Sequence, residues 1–455
     1  MSFFLQRLLS ADGPTIRGYF ADKVGEAELP RFRASSKELP GFRFPDLYNA
    51  AEWQSAEQEQ ITEVQSEHQN VDLNTLLQDT ERPNRWIPRA IKQSRMLGWM
   101  VDVDEERYLP VDKFWIAGQG HATTIIRLSY NEYAMAAKLE VASADQAAAT
   151  RAMQAIVDRS VSHSVYRSKI IELAFVTGTT DEYGDVEKPA HLKLLFKRME
   201  PVGEEDIVID ADVRSVLIRN IVDLHERRDV LKANGVPVRR GVLLYGPPGT
   251  GKTYACRYVF AKLPQVTRIA VAGTALTQVN QIFSLARLYQ PSLVLLEDVD
   301  LVFASREINL YSSVLGELLD QMDGLRPYED IGFVLTTNSI ERMEAAIKDR
   351  PGRIGQCIHF GPPKAELRRR YLAHYLNGYE KDDVDFEALV KMSEDATQAF
   401  LKEWVHRSVQ IATERLNGPE ARARLRTEDF TDAMDEMKRF AEGSTGRIVG
   451  FVRPG

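Results

Sequence analysis

GVLLYGPPGTGKTYACRYVFAKL, Gly241 to Leu263, holds a phosphate-binding loop in the frame such a loop requires. Its centre, Gly246 to Thr253, fits G-x-x-x-x-G-K-[ST] at every fixed position. Gly246, Gly249 and Gly251 allow backbone angles that a β-carbon penalises, so successive amide N–H groups can turn inward onto phosphate oxygens. Lys252 brings a compact positive charge to the β and γ phosphates, and the Thr253 hydroxyl can ligate Mg²⁺. Pro247, Pro248 and Thr250 complete the loop, and Tyr254 follows it. The apolar run Gly241–Gly246 reads as a buried parallel strand. Tyr254–Leu263 reads as a helix whose positive N-terminal end faces the phosphates.

A chain of 455 residues has room for two to four domains. A hydrophobic share of 44 % and a charged share of 27 % are those of a soluble globular protein. The net charge of −8 argues against a general affinity for nucleic acid. Cys256 and Cys357 form no CxxC and no disulfide framework, so both read as buried small apolar residues in a reducing, cytoplasmic compartment. The histidines show no metal-ligand spacing, and no structural metal is expected. No apolar run approaches the roughly 20 residues that span a bilayer, and the first residues read as a small amphipathic helix.

Residues 1–84, punctuated by Pro30, Pro40 and Pro45, read as an irregular N-terminal arm containing one polar, helix-prone stretch, AEWQSAEQEQITEVQSEHQ. Residues 85–205 read as a smaller α+β domain for a partner or client. Strands are expected at FWIAG, TTIIRLS, YAMAAKLEV, VYRSKIIELAFV and HLKLLFKRM, with an Ala-rich helix over Ala144–Ser162. Asp210–Gly235 is a helix by its early Asp, apolar spacing and final Gly. Strand and helix then alternate over 206–362, as in a parallel α/β core, with further strands at TRIAVAG, LVLLEDVD, GFVLTTN and CIHF. Residues 363–442 read as an α-helical lid and 443–455 as a flexible tail.

SLVLLEDVD, Ser292–Asp300, is an apolar strand ending in carboxylates, which places them in the ligand crevice of a parallel sheet. Phosphoryl transfer to water needs a held metal and an oriented water, and two adjacent acids can divide those tasks. TTN ends a later strand at Asn338, and DRPGR spans Asp349–Arg353. With these four motifs in order, residues 206 to about 440 resemble an AAA+ ATPase module. The resemblance implies a P-loop fold with a helical lid, ATP and Mg²⁺ as cofactors, and hydrolysis to ADP and phosphate. It gives Thr253 and Glu297 the metal, Asp298 the water, Asn338 the positioning of that water, and Arg350 and Arg353 the finger offered to a neighbouring subunit. A homo-oligomeric ring of six or seven subunits follows. By position, Ile209 and Asp210 would approach the adenine, Gln398 would meet the nucleotide from the lid, and MDG, Met322–Gly324, would relay signals between subunits.

Two departures bear on function. The family ends its strand Asp-Glu, whereas this chain has Glu297-Asp298; the branch of mitochondrial Rieske iron–sulfur protein translocases resembles it in that order, in the approach to the loop and in the stretch before MDG. Ala272–Ser292 carries no aromatic pore-loop triplet, so gripping an extended polypeptide would fall to Phe303–Ser313, with Tyr311 or Ile308 as contacts. Three functions stay open: a ring that remodels, translocates or disassembles protein clients; a processive unfoldase linked to a protease; and an ATP-controlled assembly switch with slow hydrolysis. A nucleic-acid-acting member is disfavoured by the acidic balance.

Overall fold

The computed structural model describes residues 15–56, 61–65, 67–68, 71–78, 91–118, 123–176, 178–180, 186–188, 190–238, 240–303, 308–326, 328–341, 354–416 and 422–442. They fall into two compact units, 1–198 and 199–455. Among the described residues, no helix is long and apolar enough to cross a membrane.

The first unit is built on an antiparallel sheet. Its strands are β1 (Arg33–Pro40), β2 (Ile61–Gln65), β5 (Asp112–Ala117), β6 (Thr124–Asn131) and β7 (Ala136–Ser143). They lie in the order β1-β7-β6-β5-β2. A hairpin of β3 (Met96–Asp102) and β4 (Glu105–Pro110), and another of β8 (Ile170–Val176) and β9 (His191–Phe196), also belong to the unit, with a short pair of Thr179–Thr180 and Val186–Lys188 between the last two strands. Helices α2 (Phe44–Ala56) and α4 (Gln146–Ser162) bury Phe44, Leu47, Ile156 and Val157 against Trp115, Ile126, Leu139 and Val141 on one face. Asp145 starts α4 by accepting the Ala147 N–H at 2.9 Å. On the other face α1 (Ile16–Val24) and α3 (Leu73–Gln78) cover Phe114, Ile116, Ile125 and Ala142.

The described residues between 15 and 78 are therefore not an irregular arm. β1 pairs with β7 along its whole length, and the polar stretch expected to be helical leaves α2 at Ala56 and re-forms as strand β2. Weak local periodicity misled there: Ile61, Thr62 and Val64 are β-branched, and pairing with β5 supplies the hydrogen bonds that propensity alone did not forecast. The strands and helix expected between Phe114 and Met199 are present.

In the second unit five strands run parallel: β10 (Arg240–Tyr245), β11 (Thr267–Val271), β12 (Ser292–Leu296), β13 (Ile331–Thr337) and β14 (Ile354–His359). Their order is β11-β12-β13-β10-β14. β11, β12 and β13 are buried at every residue, as strands covered on both faces must be. Helices α5 (Ala211–Leu217), α6 (Lys252–Lys262), α7 (Val279–Leu288) and α8 (Ile308–Asp323) accompany them. The helical region holds α9 (Ala365–Tyr375), α10 (Gln398–Thr413) and α11 (Thr427–Glu442) around Trp404, Leu401, Leu372 and Phe430. The Trp404 indole donates to the Phe430 carbonyl at 2.9 Å, which satisfies its one polar atom inside an apolar core. Cys256 is buried, and burial pushes its thiol well above the usual range. Cys357 is exposed, contrary to expectation, because among the described residues β14 pairs with β10 alone and turns alternate residues to solvent.

Candidate nucleotide-binding site

The loop leaves β10 and enters α6 with positive φ at Gly246 (143°), Gly249 (75°) and Gly251 (97°), the three positions where the sequence demanded glycine. At Gly246 a β-carbon would stand 2.1 Å from the Phe360 carbonyl oxygen, so no side chain fits. Gly251 is the N-cap of α6. The Thr250 hydroxyl donates to the Pro247 carbonyl at 2.8 Å and pins the turn. Thr253 lies on the first turn of α6 with an exposed side chain, open to a ligand.

Lys252 is buried beneath this loop. Its ammonium donates to the carbonyls of Gly246 (2.7 Å) and Pro247 (2.9 Å) and to Oδ1 of Asn338 (2.8 Å). Burial pushes the Lys252 ammonium below its usual range, while the charges of Asp298 and Asp300 oppose the shift. Asn338 Nδ2 donates in turn to Asp298 Oδ1 at 3.2 Å. The ends of β10, β12 and β13 thus meet in one polar chain, Lys252–Asn338–Asp298.

Asp298 has a φ of 47°, a left-handed conformation that is uncommon outside glycine. The Thr336 hydroxyl accepts its backbone N–H at 2.9 Å and fixes the turn. Glu297 is half-buried beside it, with its backbone N–H bound to the Val271 carbonyl at 2.9 Å. Asp300 is buried and accepts from the Asn338 N–H (3.0 Å) and the Thr337 hydroxyl (2.9 Å), which orients Asn338. Sequence reading had no role for Thr336, Thr337 or Asp300. The signal was present in TTN and in the second Asp of EDVD, but nothing local says that two separate strand ends face one another.

The lid closes on the loop from above. The Ala399 N–H at the start of α10 donates to the Gly249 carbonyl at 3.0 Å, and Ala399 Cβ would be 2.9 Å from a β-carbon on Gly249. Gln398 reaches the same loop: its Oε1 lies 2.3 Å from where a Gly251 β-carbon would stand, and its Nε2 donates to the Tyr375 hydroxyl at 3.1 Å. Tyr375 and Tyr254 are half-buried, and burial raises both phenols. Ile209 is buried, and Asp210 spends its carboxylate capping α5 through the Asp212 N–H at 2.9 Å. Arg350 and Arg353 lie outside the described residues. Tyr311 and Ile308 fall in helix α8, and their side chains are likewise outside the description.

The donor set fits a nucleotide triphosphate with its cation: a glycine cradle closed to β-carbons, a buried ammonium, an exposed threonine hydroxyl and two strand-end carboxylates.

Comparison with known proteins agrees. Residues 242–362 match the family model "ATPase family associated with various cellular activities (AAA)". A 26S proteasome regulatory subunit 8 homolog of Schizosaccharomyces pombe is 32 % identical over 203 residues, 41 % of this chain and 50 % of that one. Proteasome-activating nucleotidase 2 of Haloferax volcanii is 31 % identical over 261 residues, 54 % of this chain and 61 % of that one. ATP-dependent zinc metalloprotease FtsH 2 of Symbiobacterium thermophilum is 28 % identical over 275 residues, 57 % of this chain and 46 % of that one. The chain spans about half of the length of these curated relatives. Phosphate loop, strand-end acids and family match coincide on one stretch, and residues 242–362 are an AAA ATPase domain.

Proposed function

We propose that the chain is an ATP-hydrolysing ring protein that remodels protein clients. The observation that carries this reading is the Lys252–Asn338–Asp298 chain beneath the loop, which puts a phosphate-seeking ammonium and a water-activating carboxylate on the same amide. In it Lys252 and the loop amides hold the phosphates. Thr253 with Glu297 would hold Mg²⁺, which when bound would supply positive charge against the charge developing on the γ-phosphate. Asp298 takes the proton of the attacking water and Asn338 positions that water. Arg350 and Arg353 reach a neighbouring subunit's site, which makes a homo-oligomer part of the chemistry. Gln398 and Tyr375 form the lid side of the nucleotide mouth. A protein client is supported by the relatives, whose names attach them to the proteasome or to a metalloprotease. Two free cysteines fit a reducing, cytoplasmic setting.

A second reading, a processive unfoldase feeding a protease, draws on those same names. It is weakened by the connection from β11 to α7, a single 3₁₀ turn over Gly273–Thr277 with Ala275 and Leu276 buried, which offers no aromatic grip. The narrower likeness to Rieske-protein translocases rests on motif order. The test is steady-state ATPase across protein concentration, for the parent chain and for Arg350→Ala mixed with it. Activity that rises with assembly and falls on mixing supports the ring; a rate per subunit indifferent to both refutes it and favours a slow switch.

A further inference from the structure

The first unit contains a cavity of about 740 Å³ that the nucleotide chemistry does not use. Its position follows from the sheet. Helices α1 and α3 cover only one end of their face, where Phe114, Ile116, Ile125 and Ala142 lie. At the other end Glu38, Lys138, Ser129 and Asp112 stand side by side across β1, β7, β6 and β5, and all four line the cavity. The turn after β6, with Tyr133, forms one wall, and the segment leading to α3, with Asp72, forms another.

The cavity is charged, and its charges do not balance. Five carboxylates and three cationic side chains line it. Each cation is already engaged. Arg127, 2 % exposed, holds Asp112 through two bonds of 2.9 and 2.7 Å and Glu140 at 3.1 Å. Arg95 pairs with Glu67 at 3.0 Å and Glu132 at 2.9 Å, and Lys138 pairs with Glu140 at 3.1 Å. Two exposed lining carboxylates, Glu38 and Asp72, are in no ion pair among the described residues, and Asp72 lies within the field of Lys138 and Arg127, whose charges are already spent on other carboxylates. The Asp72 carboxyl is held below its usual range, chiefly by the Thr75 backbone N–H at 2.7 Å, so it stays anionic. Tyr133, 79 % exposed, offers an aromatic face at the rim. The floor crosses four strands, about 14 Å, which is the reach of about four extended residues.

We propose that this cleft binds an extended polypeptide segment bearing lysine or arginine, with its cation facing Glu38 and Asp72. The assignment deepens the client-remodelling reading by giving the chemistry of the segment first engaged. The buried Arg127 cluster holds the floor rigid, and the two acids that form no ion pair among the described residues select charge, which acts on partner choice and encounter rate more than on raw affinity.

The test uses the full chain without nucleotide, so that it does not depend on ATP hydrolysis. Fluorescence anisotropy is measured with a labelled Gly-Ser peptide of about a dozen flexible residues carrying two lysines, and with its two-glutamate counterpart. The lysine peptide binds, weakens with salt, and loses about tenfold or more in affinity to Glu38→Lys combined with Asp72→Asn. Asparagine keeps the cap on α3, and Glu38→Gln alone gives a smaller loss should the double variant misfold. Equal binding of both peptides, parental binding by the variants, or displacement by spermidine at the peptide's own concentration overturns the proposal. If the lysine peptide binds as expected yet leaves the ATPase rate unmoved, the cleft stands and the remodelling reading falls.

Discussion

Gly251→Ala adds one carbon at the point where loop and lid meet. Two costs can be separated there. At a φ of 97° any β-carbon is strained, by about 1–2 kcal/mol. The new methyl would also stand 2.3 Å from Gln398 Oε1. That side chain is flexible, but moving it breaks its bond to the Tyr375 hydroxyl at 3.1 Å, worth about 1 kcal/mol. Without nucleotide the loop can relax, so most of the total appears in binding. It amounts to about 2–3 kcal/mol, or roughly 30- to 150-fold in affinity. Titration calorimetry with a non-hydrolysable ATP analogue measures it. Measured against Gln398→Ala alone, so that the loss of Gln398 itself cancels, the Gly251→Ala step shrinks by about fivefold and the backbone part remains. Parental affinity in Gly251→Ala would refute the need for a left-handed residue. Full recovery in the double variant would show that crowding by Gln398, not backbone strain, is the whole effect.

The other expectations concern the same site and the first unit. Lys252→Ala loses two charge-assisted phosphate contacts and lowers ATP affinity on the order of a hundredfold, read by the same calorimetry. Asp298→Asn keeps the bond from Asn338 possible but removes the base; it should bind ATP and hydrolyse it at least about a hundredfold more slowly, which single-turnover assays report. Arg127→Met leaves Asp112 buried without its cation and Glu140 with Lys138 alone, at 3 % and 1 % exposure, and should destabilise the first unit by about 3–5 kcal/mol at pH 7. Burial already pushes the Asp112 carboxyl up against the opposing Arg127 charge, and removing that charge pushes it further. The folded variant then holds a proton that the unfolded chain releases above pH ~4. Its stability therefore falls as pH rises from that point through the raised folded value, so urea unfolding should show a smaller deficit at pH 5 than at pH 7.

The phosphate loop was legible because its chemistry is local. Three glycines, a lysine and a threonine in eight residues state both the turn and its ligand, and the angles at Gly246, Gly249 and Gly251 agree. The acids after β12 and the amide after β13 were legible for a related reason: apolar runs that end in polar residues mark the carboxyl ends of parallel strands. Gln398 was placed near the nucleotide by motif position, and the structure brings it onto the loop.

What the chain alone determined about this protein is therefore whatever a few adjacent residues can encode: the loop, the strand ends, the helices of the lid. Tertiary structure decided the rest. It drew residues 33–40 and 61–65 into a sheet with strands far along the chain, set Asp300 behind Asn338, and left four strand ends as the floor of a charged cleft. The physical reason is that pairing partners and burial depend on contacts between distant segments, and those contacts outweigh local propensities of a few tenths of a kcal/mol per residue.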